Sequence, residues 1–401
     1  MQFWRHAPYL KKLSVSRSIL RHRIDQRLAD YPVVAILGAR QTGKTHLAKT
    51  FSTSPENYFD LENSFQLQAL QENALTILGS LEGIVVIDEV QELPSLFPAL
   101  RVLADREPGS ARFVISGSVS PNIIRGISES LAGRVATIEI GGFDLTETEE
   151  TRWETLWLRG GHPPSFLARS DEASMEWRAN YLERLFGRDL RIWSNLSLHP
   201  AQSRKLMTMI ADCTGRAWNH TAAANILGLD VKTIQRYIDI LEAAYLIRLL
   251  PPLEVNLRKR IRKAPTIHIR DSGIANNMLG IQGRERLEIH PHVGQLWESF
   301  CIDQIIRLTQ TRPEHCFTFS LQSGPEIDLI LARPDGRFGF EIKSSENSRP
   351  KPADRALMAS LKLDSLHQVR RGDGSYDLGD GLFSTGIEAL PGVCAEIRSA
   401  G

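Results

Sequence analysis

The chain has only four cysteines in 401 residues, Cys213, Cys301, Cys316 and Cys394, and none stand in CxxC spacing. That argues against a zinc site or a disulfide framework and fits a reducing, cytoplasmic setting. No apolar run approaches the roughly 20 residues that span a bilayer, so no membrane partner is expected. An excess of one charge is lacking too, since 48 Lys and Arg stand against 47 Asp and Glu, a net of +1. Any argument for nucleic acid must therefore rest on local clusters. The first stretch, MQFWRHAPYLKKLSVSRSILRHRIDQRL, is basic throughout with no apolar segment, which argues against a signal peptide. The rest is ordinary. With 42% hydrophobic and 24% charged residues, the composition is that of globular domains, two to four of them at this length.

The stretch YPVVAILGARQTGKTHLAKTF carries the first chemistry. An apolar strand, Val33 to Leu37, runs into Gly38-Ala39-Arg40-Gln41-Thr42-Gly43-Lys44-Thr45, and a helix follows. This is G-x-x-x-x-G-K-T in the strand–loop–helix context that a phosphate loop requires. The glycines let backbone N–H groups close around phosphate, and the helix N-terminus adds positive potential. The loop from Gly38 to Thr45, with His46 after it, is expected to bind ATP. Lys44 would reach the β- and γ-phosphates, and Thr45 would ligate Mg²⁺. Downstream, GIVVIDEVQELP reads as a strand buried on both faces that ends in Asp88-Glu89. Asp88 would hold the magnesium through water, and Glu89 would polarise the attacking water. A third strand, RFVISGSVS, ends in Ser116-Gly117-Ser118, where Ser118 is the candidate γ-phosphate sensor. SLAGRVATIEI supplies Arg134, either a finger reaching a neighbouring subunit's nucleotide or a sensor in cis.

The motifs GARQTGKT, VVIDEVQ, ISGSVSP and LAGR, in this order and spacing, resemble the prokaryotic AAA-type ATPases that carry a trailing domain of unknown function. The resemblance continues through RGGHPPSF, YLERLFGRDL, LEAAYLIRLLPP and IRDSGIANNMLG, from about residue 20 to 345. It implies ATPase activity, and members of this kind assemble as homo-oligomers, by default a hexameric ring. One departure is the inserted Gly187 in GRDL, where the family reads a continuous ERD, and it predicts a broken helix.

From Gln202 to Pro252 the apolar pattern is helical. Ala222, Ala223, Ile226 and Leu227 are placed on one helix, and Gly228-Leu229-Asp230 makes a turn with Asp230 as N-cap. Val231, Ile234, Ile238 and Leu241 repeat at helical spacing on the next, and a YLIRLL strand follows. That order reads as a winged helix-turn-helix. Lys232, Gln235 and Arg236 fall off the apolar stripe, and Arg258, Lys259, Arg260, Arg262 and Lys263 form a basic run where a wing would lie. Lys232, Gln235, Arg236, Arg258, Lys259 and Arg260 are the expected DNA contacts. A wing that docks protein is the alternative.

The stretch EIDLILARPDGRFGFEIK holds two acids, a turn, and then Glu-x-Lys. Strands alternate faces with period two, so Glu326 and Asp328 share one face, as do Glu341 and Lys343. With Pro334 and Asp335 as a two-residue loop, Asp328 lies across from Glu341. The preceding helix, GQLWESFCIDQIIRLTQTRP, puts Trp297, Phe300, Cys301, Ile305 and Leu308 on one stripe with Glu298 on its flank. Asp328 and Glu341 would ligate Mg²⁺, Glu298 would support as an outer ligand, and Lys343 would position a water. The set resembles the PD-(D/E)XK nuclease core, including its archaeal Holliday-junction-resolvase branch. A polar face with cross-strand acid–lysine pairs is the alternative.

The expected chain is α/β throughout. It has a helical extension over 1–30, an AAA-type P-loop ATPase core with a small helical part over 31–195, a winged helix over 200–283, and a nuclease-like α/β domain over 284–401. The expected function is an ATP-driven motor or switch acting on DNA, in repair, recombination or defence. The rival is a signalling NTPase whose C-terminal modules bind protein and whose acidic wall is vestigial.

Overall fold

The structure, a computed structural model, describes residues 15, 17–106, 111–118, 121–148, 152–190, 199–254, 263–321 and 324–399. Strands β1 (Val33–Gly38), β2 (Tyr58–Asp60), β3 (Ile84–Asp88), β4 (Arg112–Ser118) and β5 (Val135–Glu139) form a parallel sheet in the order β2-β3-β4-β1-β5. Every residue of β1 is buried, as a strand covered on both faces requires. Alternation divides its side chains between two cores. Val33, Ala35 and Leu37 pack with the helices Ser64–Gly79 and Leu96–Ala104. Val34 and Ile36 pack with Ser18–Asp30 and Lys44–Lys49. Parallel pairing collects the strand C-termini on one edge, where ligands of open α/β sheets bind.

The chain then forms helices, among them Asp171–Arg184. The break expected at Gly187 does not occur, because that helix runs on into a π-turn, Leu185–Asp189, that takes Gly187 inside it. The helix Pro200–Asp212 leads to β6 (Arg216–Ala217), the helices His220–Leu227 and Val231–Ala243, β7 (Ile247–Leu250) and β8 (Thr266–Ile269). These strands pair in the order β6-β8-β7. Gly228 takes φ 66° between the two helices, and Asp230 caps the second by accepting from the Thr233 N–H at 2.9 Å. The expected faces need correcting. Ile226 is 71% exposed and Val231 41%, while Ala223 and Ala224 are buried. At about 100° per residue the buried arc runs from Ala223 to Ala224 through Leu227, and Ile226 falls about 60° outside it. Val231 opens its helix, before the stripe of Ile234, Tyr237, Ile238 and Leu241 meets the core.

The helix Val293–Thr309 packs on a second large sheet of β9 (Cys316–Ser320), β10 (Glu326–Arg333), β11 (Gly336–Ile342), β12 (Ser365–Arg370), β13 (Ser375–Asp377) and β14 (Leu382–Gly386). Their order is β13-β14-β12-β11-β10-β9. The β10–β11 hairpin closes with Arg333 opposite Gly336, so the two-residue Pro334-Asp335 loop stands as expected. Main-chain bonds join the smaller sheet to the larger, with the Leu253 N–H donating to the Thr318 carbonyl at 2.7 Å. One buried apolar cluster runs from Phe143 to Ile397 and unites everything after the first sheet. Among the described residues no helix is long and apolar enough to cross a membrane.

Candidate active site

The loop between β1 and the Lys44–Lys49 helix needs its glycines for two reasons. A Cβ on Gly38 would stand 2.1 Å from the Ile140 carbonyl oxygen, and Gly43 takes φ 91°. Gln41 also takes a positive φ, 60°. Lys44 is 4% exposed, and its ammonium donates to the carbonyls of Ala39 (2.7 Å) and Gly38 (3.2 Å) and to Ser118 Oγ (3.5 Å). Burial lowers its pKa to about 8, against the pull of Glu89 and Asp88. Thr42 is buried, Thr45 is half-buried, and Gln41 and His46 are exposed.

Asp88 ends β3, fully buried, and accepts hydrogen bonds from Tyr58 (3.0 Å) and Ser116. Glu89 follows in the left-handed region (φ 55°) and accepts from Gln91 Nε2. Burial raises the Glu89 pKa, opposed by that hydrogen bond and by Lys44. The structure thus gathers Lys44, Asp88, Glu89 and Ser118 at the C-terminal edge of the first sheet. It places Arg134 elsewhere. Arg134 precedes β5 at the opposite edge, and its guanidinium pairs with Asp105, one bond being 2.9 Å. A five-residue strand separates the edges by roughly 16 Å. That removes the cis-sensor role and leaves a finger toward a neighbour.

Sequence reasoning missed four residues here. Arg17, buried, donates to the Thr42 carbonyl of the phosphate loop at 2.9 Å and pairs with Glu147 at 2.7 Å. Arg40 Nη1 lies 2.8 Å from Asp189 Oδ1. Tyr58 and Ser116 orient Asp88. Of these, Asp189 alone had a signal, in the GRDL motif.

The hairpin wall assembles in the larger sheet. Asp328 Oδ2 accepts from the Ile342 N–H (2.6 Å), and the Lys343 ammonium pairs with Glu341. Glu341 Oε2 is buried without a partner, as is the amide oxygen of Gln368, which sits beside Glu341 in the β11–β12 register. A cavity of about 430 Å³ opens between this wall and β6, lined by Glu298, Glu326 and Asp328 on one side and by Arg216 and Thr266 on the other. Burial raises the pKa values of Glu298, Asp328 and Glu341, and the neighbouring Asp328 raises those of Glu298 and Glu341 further. The carboxylates meet on one wall, yet among the described residues no group of three or more His, Cys, Asp or Glu is arranged to hold a metal ion. The expected cage with Glu298 as outer ligand is therefore not formed. Asp328 is committed to a main-chain N–H and Glu341 to Lys343.

Lys232, Gln235 and Arg236 are exposed on the Val231–Ala243 helix. Arg258, Lys259, Arg260 and Arg262 lie outside the described residues, while Lys263 is exposed.

A phosphate-loop geometry on a parallel sheet of this order defines a P-loop protein of the AAA type, and residues 30–149 match the AAA domain family. Residues 150–285 and 293–390 match two domains of unknown function, DUF8612 and DUF4143. The uncharacterized proteins Rv2008c of Mycobacterium tuberculosis and Mb2031c of Mycobacterium bovis are each 38% identical over 369 residues, 92% of this chain and 83% of the relative. The chain belongs to the family of these mycobacterial proteins. Among solved structures, the Walker-type ATPase of Pyrococcus abyssi aligns at 15% identity with a TM-score of 0.44, covering 66% of this chain and 96% of that one. A Thermotoga maritima RuvB variant aligns at 15% identity with a TM-score of 0.29, covering 67% and 96%.

Proposed function

We propose that the chain is an ATP-hydrolysing AAA-type ATPase that acts on DNA. The observation that carries the ATPase reading is the buried Lys44 ammonium, whose hydrogen bonds go to carbonyl and hydroxyl oxygens beside Asp88 and Glu89. A buried cation without a directly bonded counter-charge favours an anion, and the loop amides offer donors to the same anion. Lys44 would contact the β- and γ-phosphates, with residues 38–46 around them. Thr45 and Asp88 would hold Mg²⁺, which neutralises phosphate charge when bound. Glu89, made more basic by burial, orients the attacking water and takes its proton. Ser118, touching Lys44, senses the γ-phosphate. Arg134, far from its own site, serves a neighbouring copy in a homo-oligomeric ring. Four unpaired thiols fit a cytoplasmic setting.

The DNA reading is supported by the helix–strand–helix–helix–strand–strand order of residues 200–269, which we take as a winged helix with Lys232, Gln235 and Arg236 outward. A second reading, a nuclease-like C-terminal domain, is favoured by the buried unpartnered Glu341 Oε2 beside Asp328 and Lys343. Asp328 and Glu341 would bind a divalent ion there. ATP turnover with and without single-stranded, duplex and branched DNA tests the whole. Stimulation by DNA supports it, and turnover indifferent to every DNA favours the signalling NTPase.

A further inference from the structure

The phosphate loop is gripped by side chains from outside its own strand and helix. Arg17 bonds Thr42 from the segment before the sheet. Pro163 comes from the segment after the AAA domain, and a Cβ on Gly43 would lie 3.8 Å from its ring. Arg40 reaches the same later segment at Asp189, 149 residues away in sequence. Asp189 closes the π-turn, and its side chain is 2% exposed against 28% for Arg40. Inserting a π-turn changes the direction in which every following side chain points, and such turns concentrate at functional sites. Here it aims a carboxylate at the phosphate loop.

We propose that Asp189 is a positioning residue for the nucleotide: through Arg40 it fixes the phosphate loop, and it passes the state of that loop to the helices that follow the AAA domain. This rests on the nucleotide reading of the loop. A carboxylate so enclosed needs a cationic partner, since removing one member of a buried pair leaves an uncompensated charge. Arg40 therefore cannot swing toward a phosphate without a cost at Asp189. The pair and the bound nucleotide share one loop backbone, so each changes the stability of the other by the same factor.

The test is ATP affinity of the full chain, measured by calorimetry beside thermal melting. Asp189→Asn and Arg40→Gln should each weaken binding about tenfold, and the double variant should be no weaker than either alone. The reversed pair, Arg40→Asp with Asp189→Arg, should regain part of the loss. ATP should also slow amide exchange over residues 185–190 in the wild type but not in Arg40→Gln. If Asp189→Asn melts earlier yet binds ATP within twofold of wild type, Asp189 only supports the fold and the inference is wrong. Additive losses in the double variant overturn it as well. Wild-type protein that binds no nucleotide defeats the nucleotide reading itself, and the inference with it.

Discussion

Lys44 shows how a single residue can be read in sequence and still hold a surprise. Its spacing from Gly38 and Gly43 identifies it, but its burial is a tertiary fact. Burial takes its pKa from 10.5 to about 8. Between those values the unfolded chain holds more protons than the folded one, so stability rises with pH across that window, and the cost of the buried charge is fully present below it. That cost is on the order of 3 kcal/mol. In nucleotide-free protein, Lys44→Met should be more stable than wild type at neutral pH and lose the advantage as pH approaches the upper value. Denaturant melts at several pH values check this, and a constant difference contradicts it. Lys44, Thr45, Asp88 and Glu89 were legible because their chemistry is encoded in short spacings. Arg17, Tyr58, Ser116 and Asp189 were not, because each reaches the site from a distant segment and carries no spacing of its own.

At the scale of elements, period-two alternation predicted the hairpin register, and Arg333 does stand opposite Gly336. Alternation says which face a carboxylate takes and nothing of what it bonds, so the commitment of Asp328 to Ile342 was invisible. Burial raises the pKa values of Asp328 and Glu341. Raised carboxyl groups favour the folded state when protonated, and that contribution is lost as pH climbs above the ordinary carboxylate range. Mn²⁺ should therefore raise the melting temperature more at about pH 8 than at about pH 5. Asp328→Asn with Glu341→Gln should stabilise the metal-free protein at the higher pH and abolish the response to Mn²⁺. Equal melting with and without Mn²⁺ at both pH values would remove metal from the hairpin. The Val231–Ala243 helix makes its own prediction. Lys232→Ala with Arg236→Ala should flatten the salt dependence of DNA binding by nearly two units and weaken all sequences alike. An unchanged slope places the contact elsewhere.

For the whole molecule, the position of Arg134 matters most. It lies a strand's length from its own Lys44, and its present partner is the exposed Asp105. A finger so placed completes a neighbour's site. Arg134→Ala should lower turnover by about 10³ with ATP affinity little changed. Mixing it with Lys44→Ala protein should restore part of the activity, because one variant supplies the finger and the other the loop. No recovery on mixing, with both variants assembled, would contradict the shared site. The assembly was suggested by family resemblance, and no single chain can display it.

The central claim is that this chain hydrolyses ATP with Lys44 as phosphate ligand and Glu89 as base. Phosphate release by purified wild type, Lys44→Ala and Glu89→Gln, measured beside ATP binding, tests it most directly. The account predicts turnover in the wild type, neither binding nor turnover in Lys44→Ala, and binding without turnover in Glu89→Gln. Full turnover in Glu89→Gln would contradict the role of Glu89, and ATP turnover undiminished in Lys44→Ala would contradict the site itself.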